Sequence, residues 1–413
     1  MKNNAFWFIV CYCIYLIFAI LNPSIVVSGI PIRHFITLIM IVFCVKYRPQ
    51  KWDWFVVLYS LYIFCYFSAG YITGYTSEHI SFILTTLLVA LVLYRSTMIM
   101  VMQFDKLELI TMLLLVVFVI DAIFTVGQYY RIPQFLMLPQ LMGLELNDYY
   151  MQRLEGAYSM EGQVLFGIVG AVANGYMLSA ASILAWKKYG NKSVIYNVLL
   201  WGLFMLASFY SQERAGFYLA TLFSVFLFLL SFWRQKGISR VFIAILIIML
   251  IFSAESIYDY INSYGRYADK GLDDGGRFGY FDEAIAFISE NPWGGHLKYA
   301  NTHSRMPHNL FANAFVSGGL LGGVVIIIIN IIQIYKIFMF SIKKSLKNRD
   351  VLWLPFLYCL IYLDYLIQSV AHNQSIVYGT PLFFVFWGIC SSYVNGSNRS
   401  IYAKMKMLKF LKQ

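Results

Sequence analysis

Apolar runs close to 20 residues long recur from one end of this chain to the other, separated mostly by short polar links. A helix needs about 20 predominantly apolar residues to cross lipid hydrocarbon, where every backbone N–H and C=O must be satisfied internally. The runs predict spans near 5–28, 31–46, 53–73, 79–98, 107–127, 162–186, 194–211, 215–233, 240–255, 308–340, 351–371 and 376–394. Composition agrees: 12% of the 413 residues are charged, 60% are hydrophobic, and the mean hydropathy is +0.67. A soluble chain uses about 25% charged residues to cover its surface. The expected class is an all-α integral membrane protein with about twelve transmembrane helices, a single polytopic domain over 1–413.

The run from Ala5 to Leu21 precedes further spans and lacks a small-residue cleavage site, so it reads as a first span and not a removed signal. The run at 308–340 exceeds one crossing. A short interfacial turn can precede its span, and Gly318-Gly319 and Gly322-Gly323 permit a kink or close helix contacts. Lysine and arginine gather in cytoplasmic links. With both termini in the cytoplasm, 22 of the 31 basic residues, Arg95 among them, fall on that side and nine on the other.

This topology leaves two long polar segments outside the cytoplasm, a first loop at 128–161 and a large loop at 255–307. The six histidines, His34, His79, His296, His303, His308 and His372, lie at or beyond the same outer surface. Within the large loop, residues 278–290 place Phe278, Phe281, Ile285 and Ile288 on one helical face, and Asn291-Pro292 and Gly294-Gly295 end that helix. Asp273 or Asp274 could cap its start. The pattern predicts an amphipathic helix lying on the membrane surface or against the bundle of spans.

Several function classes drop out. Cys11, Cys13, Cys44, Cys65, Cys359 and Cys390 all sit in apolar runs, with no CxxC pair and no Cys/His cluster. Neither a disulfide framework nor a structural metal is expected. The formal charge of +11 is dispersed through short links beside the membrane, without interleaved aromatics, which argues against nucleic acid.

A few polar residues could carry chemistry. Arg214, in SQERAG between two apolar runs, either pairs with Glu213 and snorkels or contacts a ligand. Arg277 opens the amphipathic helix, where a cation is mildly unfavourable unless an anion binds there as well. Its other reading is a loop arginine paired with Asp273 or Asp282. Arg153, before Glu155-Gly156, is open to the same two readings. His308, in MPHNLFANAF, stands where the large loop re-enters the membrane, and an imidazole near its ordinary pKa suits a general base. A histidine bonded to a backbone carbonyl is the alternative. Asn309 could orient His308 or bind sugar hydroxyls; His303 and His296 are rivals for the base. Asp121 and Asp364 fall inside spans, as helix-to-helix bonds or as groups on an ion path.

Four segments in order resemble the O-antigen polymerase and O-antigen ligase family: RLEGAY at 153–158, SQERAGFYLA at 211–220, GGRFGYFDEAIAFISENPWGG at 275–295 and PHNLFANAFVSGGLLGG at 307–323. The resemblance covers about 150–330, and the last two segments in tandem are its specific part. Glu213 before Arg214 departs from the small or polar residue usual there.

The resemblance implies a membrane glycosyltransferase fold of the C type (GT-C). It implies undecaprenyl-pyrophosphate-linked oligosaccharide as both donor and acceptor, with no metal or other cofactor. Arg214 and Arg277 would be catalytic cations for the departing pyrophosphate, and His308 the base for the attacking hydroxyl. Arg153, Asn309 and His303 would bind substrate. Membrane lipids and a chain-length regulator are the expected partners. Polymerase and ligase share this chemistry and differ in acceptor, a second lipid-linked repeat unit or the lipid A core. A transporter without transferase activity is the reading from another class, and would depend on Asp121 or Asp364.

Overall fold

The computed structural model describes residues 2–21, 26–27, 30–47, 53–130, 132–135, 193–210, 254–263, 279–303, 306–307, 309–338, 376–378 and 380–396, with isolated positions between 217 and 252 and between 358 and 370. In chain order the elements are α1 (Lys2–Leu21), β1 (Val26–Val27), β2 (Ile30–Pro31), α2 (Ile32–Lys46), α3 (Trp54–Thr73), α4 (Thr76–Phe82), α5 (Leu88–Met102), α6 (Leu107–Tyr129), α7 (Ser193–Tyr210), α8 (Ala254–Asn262), α9 (Gly279–Glu290), α10 (His296–Thr302), α11 (Leu310–Ile337) and α12 (Pro381–Gly396). A π-helical turn at Ile83–Leu87 joins α4 to α5, and a 3-10 turn at Ile376–Tyr378 precedes α12.

Among the described residues four helices are long and apolar enough to cross a membrane: Trp54–Thr73, Thr76–Met102, Leu107–Gly127 and Leu310–Ile337. Shorter apolar helices lie at Ala5–Ile20 and Pro381–Ser392. The expected spans at 31–46, 53–73, 107–127 and 194–211 each coincide with a helix to within a few residues. The expected spans at 162–186, 215–233, 240–255 and 351–371 lie wholly or largely outside the described residues.

Three boundaries differ. The first helix stops at Leu21, and the end of the 5–28 run forms a tight antiparallel hairpin pairing Val26 with Pro31 and Val27 with Ile30. The fourth span continues to Met102, which sets Arg95 two turns inside the helix end, with Asp53, 3.9 Å away, as its counter-charge. The last helix begins at Pro381, whose missing N–H costs nothing in a first helical turn.

Two compact units divide the chain: residues 1–16, 32–107 and 276–413, and residues 17–31 and 108–275. In the first unit α3 is the central element and packs most extensively on α11. Gly318 and Gly322 face Tyr62 and Cys65 of α3, and a side chain at Gly318 would press on the Tyr62 ring. Phe55, Tyr59, Tyr62 and Tyr66 form a buried aromatic row along α3, and Trp387 of α12 lies tilted against Phe55 with ring centres 4.2 Å apart. Burying a phenol without a partner is costly in low dielectric. Accordingly Tyr12 Oη bonds Thr97 Oγ1 at 2.9 Å, and Tyr15 and Tyr59 donate to the carbonyls of Val89 (2.7 Å) and Ile376 (3.0 Å).

The second unit has an aromatic joint of its own. Tyr129 stacks on Tyr210 with ring centres 3.9 Å apart, and the hydroxyls of Tyr130 and Tyr210 lie 2.9 Å apart. Phe209 contacts Tyr260 of α8, so the ends of α6 and α7 and the short α8 meet.

Candidate functional site

Residues 279–303 of the large loop form α9 and α10, which adjoin the start of α11, all in the first unit. Helix α9 packs against the span bundle: Ala284 and Phe287 are buried with Tyr299, Ala312 and Val316, flanked by Phe281, Ile288 and Met306. One expected position is corrected here. Ile285 is 62% exposed, because the helix meets α11 along the narrower stripe through 281, 284, 287 and 288.

The turn after α9 is driven into a break in α11. An unbroken helix would bond Leu320 N–H to Val316 C=O. Here Leu320 N–H donates to Pro292 O at 2.9 Å, and Val316 O accepts from Gly295 N–H at 2.8 Å. Gly319 makes the break, at φ 69° and ψ −170°, and Gly294 faces it at φ 80°. A helix interrupted inside a membrane protein must have its freed backbone groups satisfied by neighbouring protein. The Asn291–Gly295 turn does so without side chains. Asn291 stiffens the turn by donating from Nδ2 to Phe287 O (3.0 Å) and accepting from Lys298 Nζ (2.6 Å).

Position 308 lies between two anchored residues. The Asn313 side chain donates to Pro307 O. Asn309 is the N-cap of α11: its Oδ1 accepts from Phe311 N (2.9 Å) and Ala312 N (3.1 Å), and its Nδ2 donates to Val370 O (2.9 Å). The amide is thus engaged in fixing the helix start, and Asn309 is 5% exposed. Pro307 precedes the cap and is not in the first turn.

His303 lies flat on Tyr299, ring centres 4.0 Å apart and planes 6° apart, with Nδ1 2.8 Å from Thr302 Oγ1. Burial, with the Glu283 carboxylate adding to it, pushes the Tyr299 phenol up to about 12, and its buried hydroxyl has no hydrogen-bond partner among the described residues. His296 places Nδ1 3.2 Å from Ser317 Oγ, stacks on Phe82 and lies against Tyr66, which also stacks on the buried His79. Burial, reinforced by the neighbouring His79, lowers the His296 imidazole to about 4.

Of the expected site residues, His303 and Asn309 belong to this assembly. Arg153, Arg214, Arg277 and His308 lie outside the described residues, as do the caps Asp273 and Asp274 and the side chain of Asp121. Sequence reasoning did not single out Asn313, Ser317 or Tyr299. With Asn309, the first two form a buried polar stripe at intervals of four on α11, a periodicity present in the sequence.

The described residues thus define a multi-pass α-helical membrane protein with a loop locked into a broken apolar helix. Residues 198–327, from α7 through the broken part of α11, match the family model described as O-antigen ligase. Over that stretch, about a third of its length, the chain is similar to the O-antigen ligase family. No curated protein and no solved structure matches it.

Proposed function

We propose that the protein is a surface-polysaccharide polymerase of the inner membrane. It transfers a growing undecaprenyl-pyrophosphate-linked glycan onto another lipid-linked repeat unit at the periplasmic face. In this reading it is a GT-C-type enzyme of about twelve spans with both termini cytoplasmic and the loops 128–161 and 255–307 periplasmic. The observation that carries it is the O-antigen ligase match, whose segment contains the interlocked Asn291–Gly295 turn and the anchored start of α11 beside His308. The first unit supports the orientation: α3 runs from Asp53, in a cleft with Lys336, to Thr73, which lies against Gly295 of the loop.

The acceptor hydroxyl oxygen attacks the donor's anomeric carbon as the bond from that carbon to the pyrophosphate oxygen breaks. His308 takes the hydroxyl proton, and the bonding pair leaves with undecaprenyl pyrophosphate. Arg277, Arg214 and Arg153 are assigned to the diphosphate. Guanidinium stays charged and binds phosphate oxygens in pairs, so it stabilises the departing charge without a metal. His303 and Asn309 are assigned to the sugar side, and a chain-length regulator to the periplasmic surface.

The family description keeps the ligase reading open, since the lipid A core would use the same donor chemistry. Pure protein with a defined pyrophosphate-lipid repeat unit tests both. A ladder of products supports the polymerase, and transfer only when lipid A core is added supports the ligase. Failure of either transfer, with lipid-linked glycan carried across vesicles, would sink both in favour of a transporter.

A further inference from the structure

Asparagine is a poor helix former and a costly residue to bury, because its amide must find partners and competes for backbone groups. Asn313 is nonetheless fully buried in the first turn of the apolar helix α11, between Ala312 and Ala314, which are buried as well. Its two nitrogens serve different ends. The backbone N–H donates to Asn309 O at 2.9 Å, the bond that regular helix geometry requires. The side-chain Nδ2 reaches back past the helix start and donates to Pro307 O. We propose that Asn313 is a positioning residue of the transfer site, holding residue 308 in register with α11 by fixing the carbonyl that precedes it. The inference rests on the transferase reading, in which His308 is the base.

The local geometry carries it. A peptide unit is planar, so the plane that contains the Pro307 carbonyl also contains the nitrogen and Cα of residue 308. Proline fixes its own φ near about −65°, which leaves its ψ as the soft dihedral ahead of position 308. The bond from Asn313 restrains that dihedral. On the far side Asn309 is extended, at φ −149° and ψ 131°, and is held by its bonds to Phe311 N, Ala312 N and Val370 O. A single residue therefore stands between two anchors, made by asparagines one helical turn apart.

The Asn313 side chain is not needed to start the helix. Asn309 Oδ1 already satisfies the N–H groups of residues 311 and 312, and Asn309 O satisfies that of Asn313. What the Asn313 amide fixes lies upstream. A general base works within about 2.6–3.2 Å of the atom whose proton it takes. A displacement of about 1 Å can cost on the order of 10²-fold in rate.

Steady-state kinetics of the full-length protein on a defined pyrophosphate-lipid repeat unit test the role, with melting curves on the same preparations. Asn313→Leu and Asn313→Ala should each lower kcat about 10–100-fold and leave KM within about threefold of wild type, as loss of orientation without loss of a substrate contact does. Asn330→Ala is the control. Asn330 is another asparagine buried in α11, donating to Ile326 O at 2.8 Å and accepting from Tyr362 Oη at 3.3 Å, but it lies beyond the break at Gly319. It should keep wild-type kcat even where its melting temperature falls as far. Wild-type kcat in Asn313→Ala, or equal losses of kcat in Asn313→Ala and Asn330→Ala, overturns the inference. So does a raised KM at wild-type kcat, which would make Asn313 a binding residue. If Asn313→Leu fails to fold, Asn313→Ala decides, since alanine is smaller and the best helix former. A wild type that yields no product sinks the transferase reading itself, and this role with it.

Discussion

Gly294 and Gly319 interlock the loop with α11 backbone to backbone: a methyl group on Gly294 would overlap the main chain of Gly319, and one on Gly319 the main chain of Pro292 and Trp293. Both hold positive φ, 80° and 69°, so a side chain would be strained even without the overlap. One hydrogen bond lost from α11 is replaced by two to the loop, which ties the amphipathic helix to the span.

Gly294→Ala and Gly319→Ala should therefore each destabilise the protein by about 2–5 kcal/mol, combining backbone strain with overpacking. Gly202→Ala, in the interior of α7 with open space around it, should be neutral or stabilising by up to about 1 kcal/mol. Thermal melts in detergent with limited proteolysis of the loop check both. A stable Gly319→Ala with a protected loop would show that the joint does not hold the loop.

Asn309 combines an N-cap with a bond to Val370 O. Asn309→Ala should cost about 1–2 kcal/mol, as loss of a cap does. Asn309→Ser keeps a capping oxygen and should recover most of that, while losing the reach to Val370. Transferase assays beside melting curves separate the roles. Activity that follows stability across the pair makes Asn309 a positioning residue, and loss of activity in a stable Asn309→Ser variant gives it a direct part in binding.

Much of this architecture was legible in the sequence because hydrocarbon imposes a strict code. Apolar runs of the right length located α2, α3, α6 and α7 to within a few residues, and Asn291-Pro292 marked the end of α9. The interlock was not legible. The glycine doublets at 294–295 and 318–319 announced freedom to kink, but not that one kink would fill the other. The Asp53–Arg95 pair was hidden for a similar reason: its members are remote in sequence, so Arg95 read only as one more basic residue on the cytoplasmic side. Ile285 was misplaced because an ideal apolar stripe is wider than the strip of α9 that touches α11.

Transfer chemistry should divide His308 from Arg277. Replacing a general base costs about 10²–10⁴-fold in rate, so His308→Ala should abolish detectable polymer at normal protein levels. Arg277→Lys keeps the charge but loses the two-pronged geometry that suits phosphate, and should be impaired nearly as far as Arg277→Ala. Rates on a defined pyrophosphate-lipid repeat unit check this. Wild-type extension by His308→Ala would remove it as the base, and wild-type rates in Arg277→Lys would reduce Arg277 to a generic cation.

His296 makes the packing of α10 sensitive to acid. Its folded pKa is about 4, below the ordinary histidine value near 6.5, because burial and the nearby His79 oppose the charge. Above about pH 6.5 the imidazole is neutral in folded and unfolded chains, and stability does not depend on it. Between about 6.5 and 4 the unfolded chain takes up the proton first, so stability falls as pH falls, by on the order of 1–3 kcal/mol in all. Hydrogen exchange of residues 296–302 should accelerate over that window, whereas α6, in the other unit, should be unaffected by the change at this site. His296→Gln keeps a polar group near Ser317 but cannot titrate, and should flatten the profile. An unchanged profile in that variant would assign the acid sensitivity to His79 or to another group.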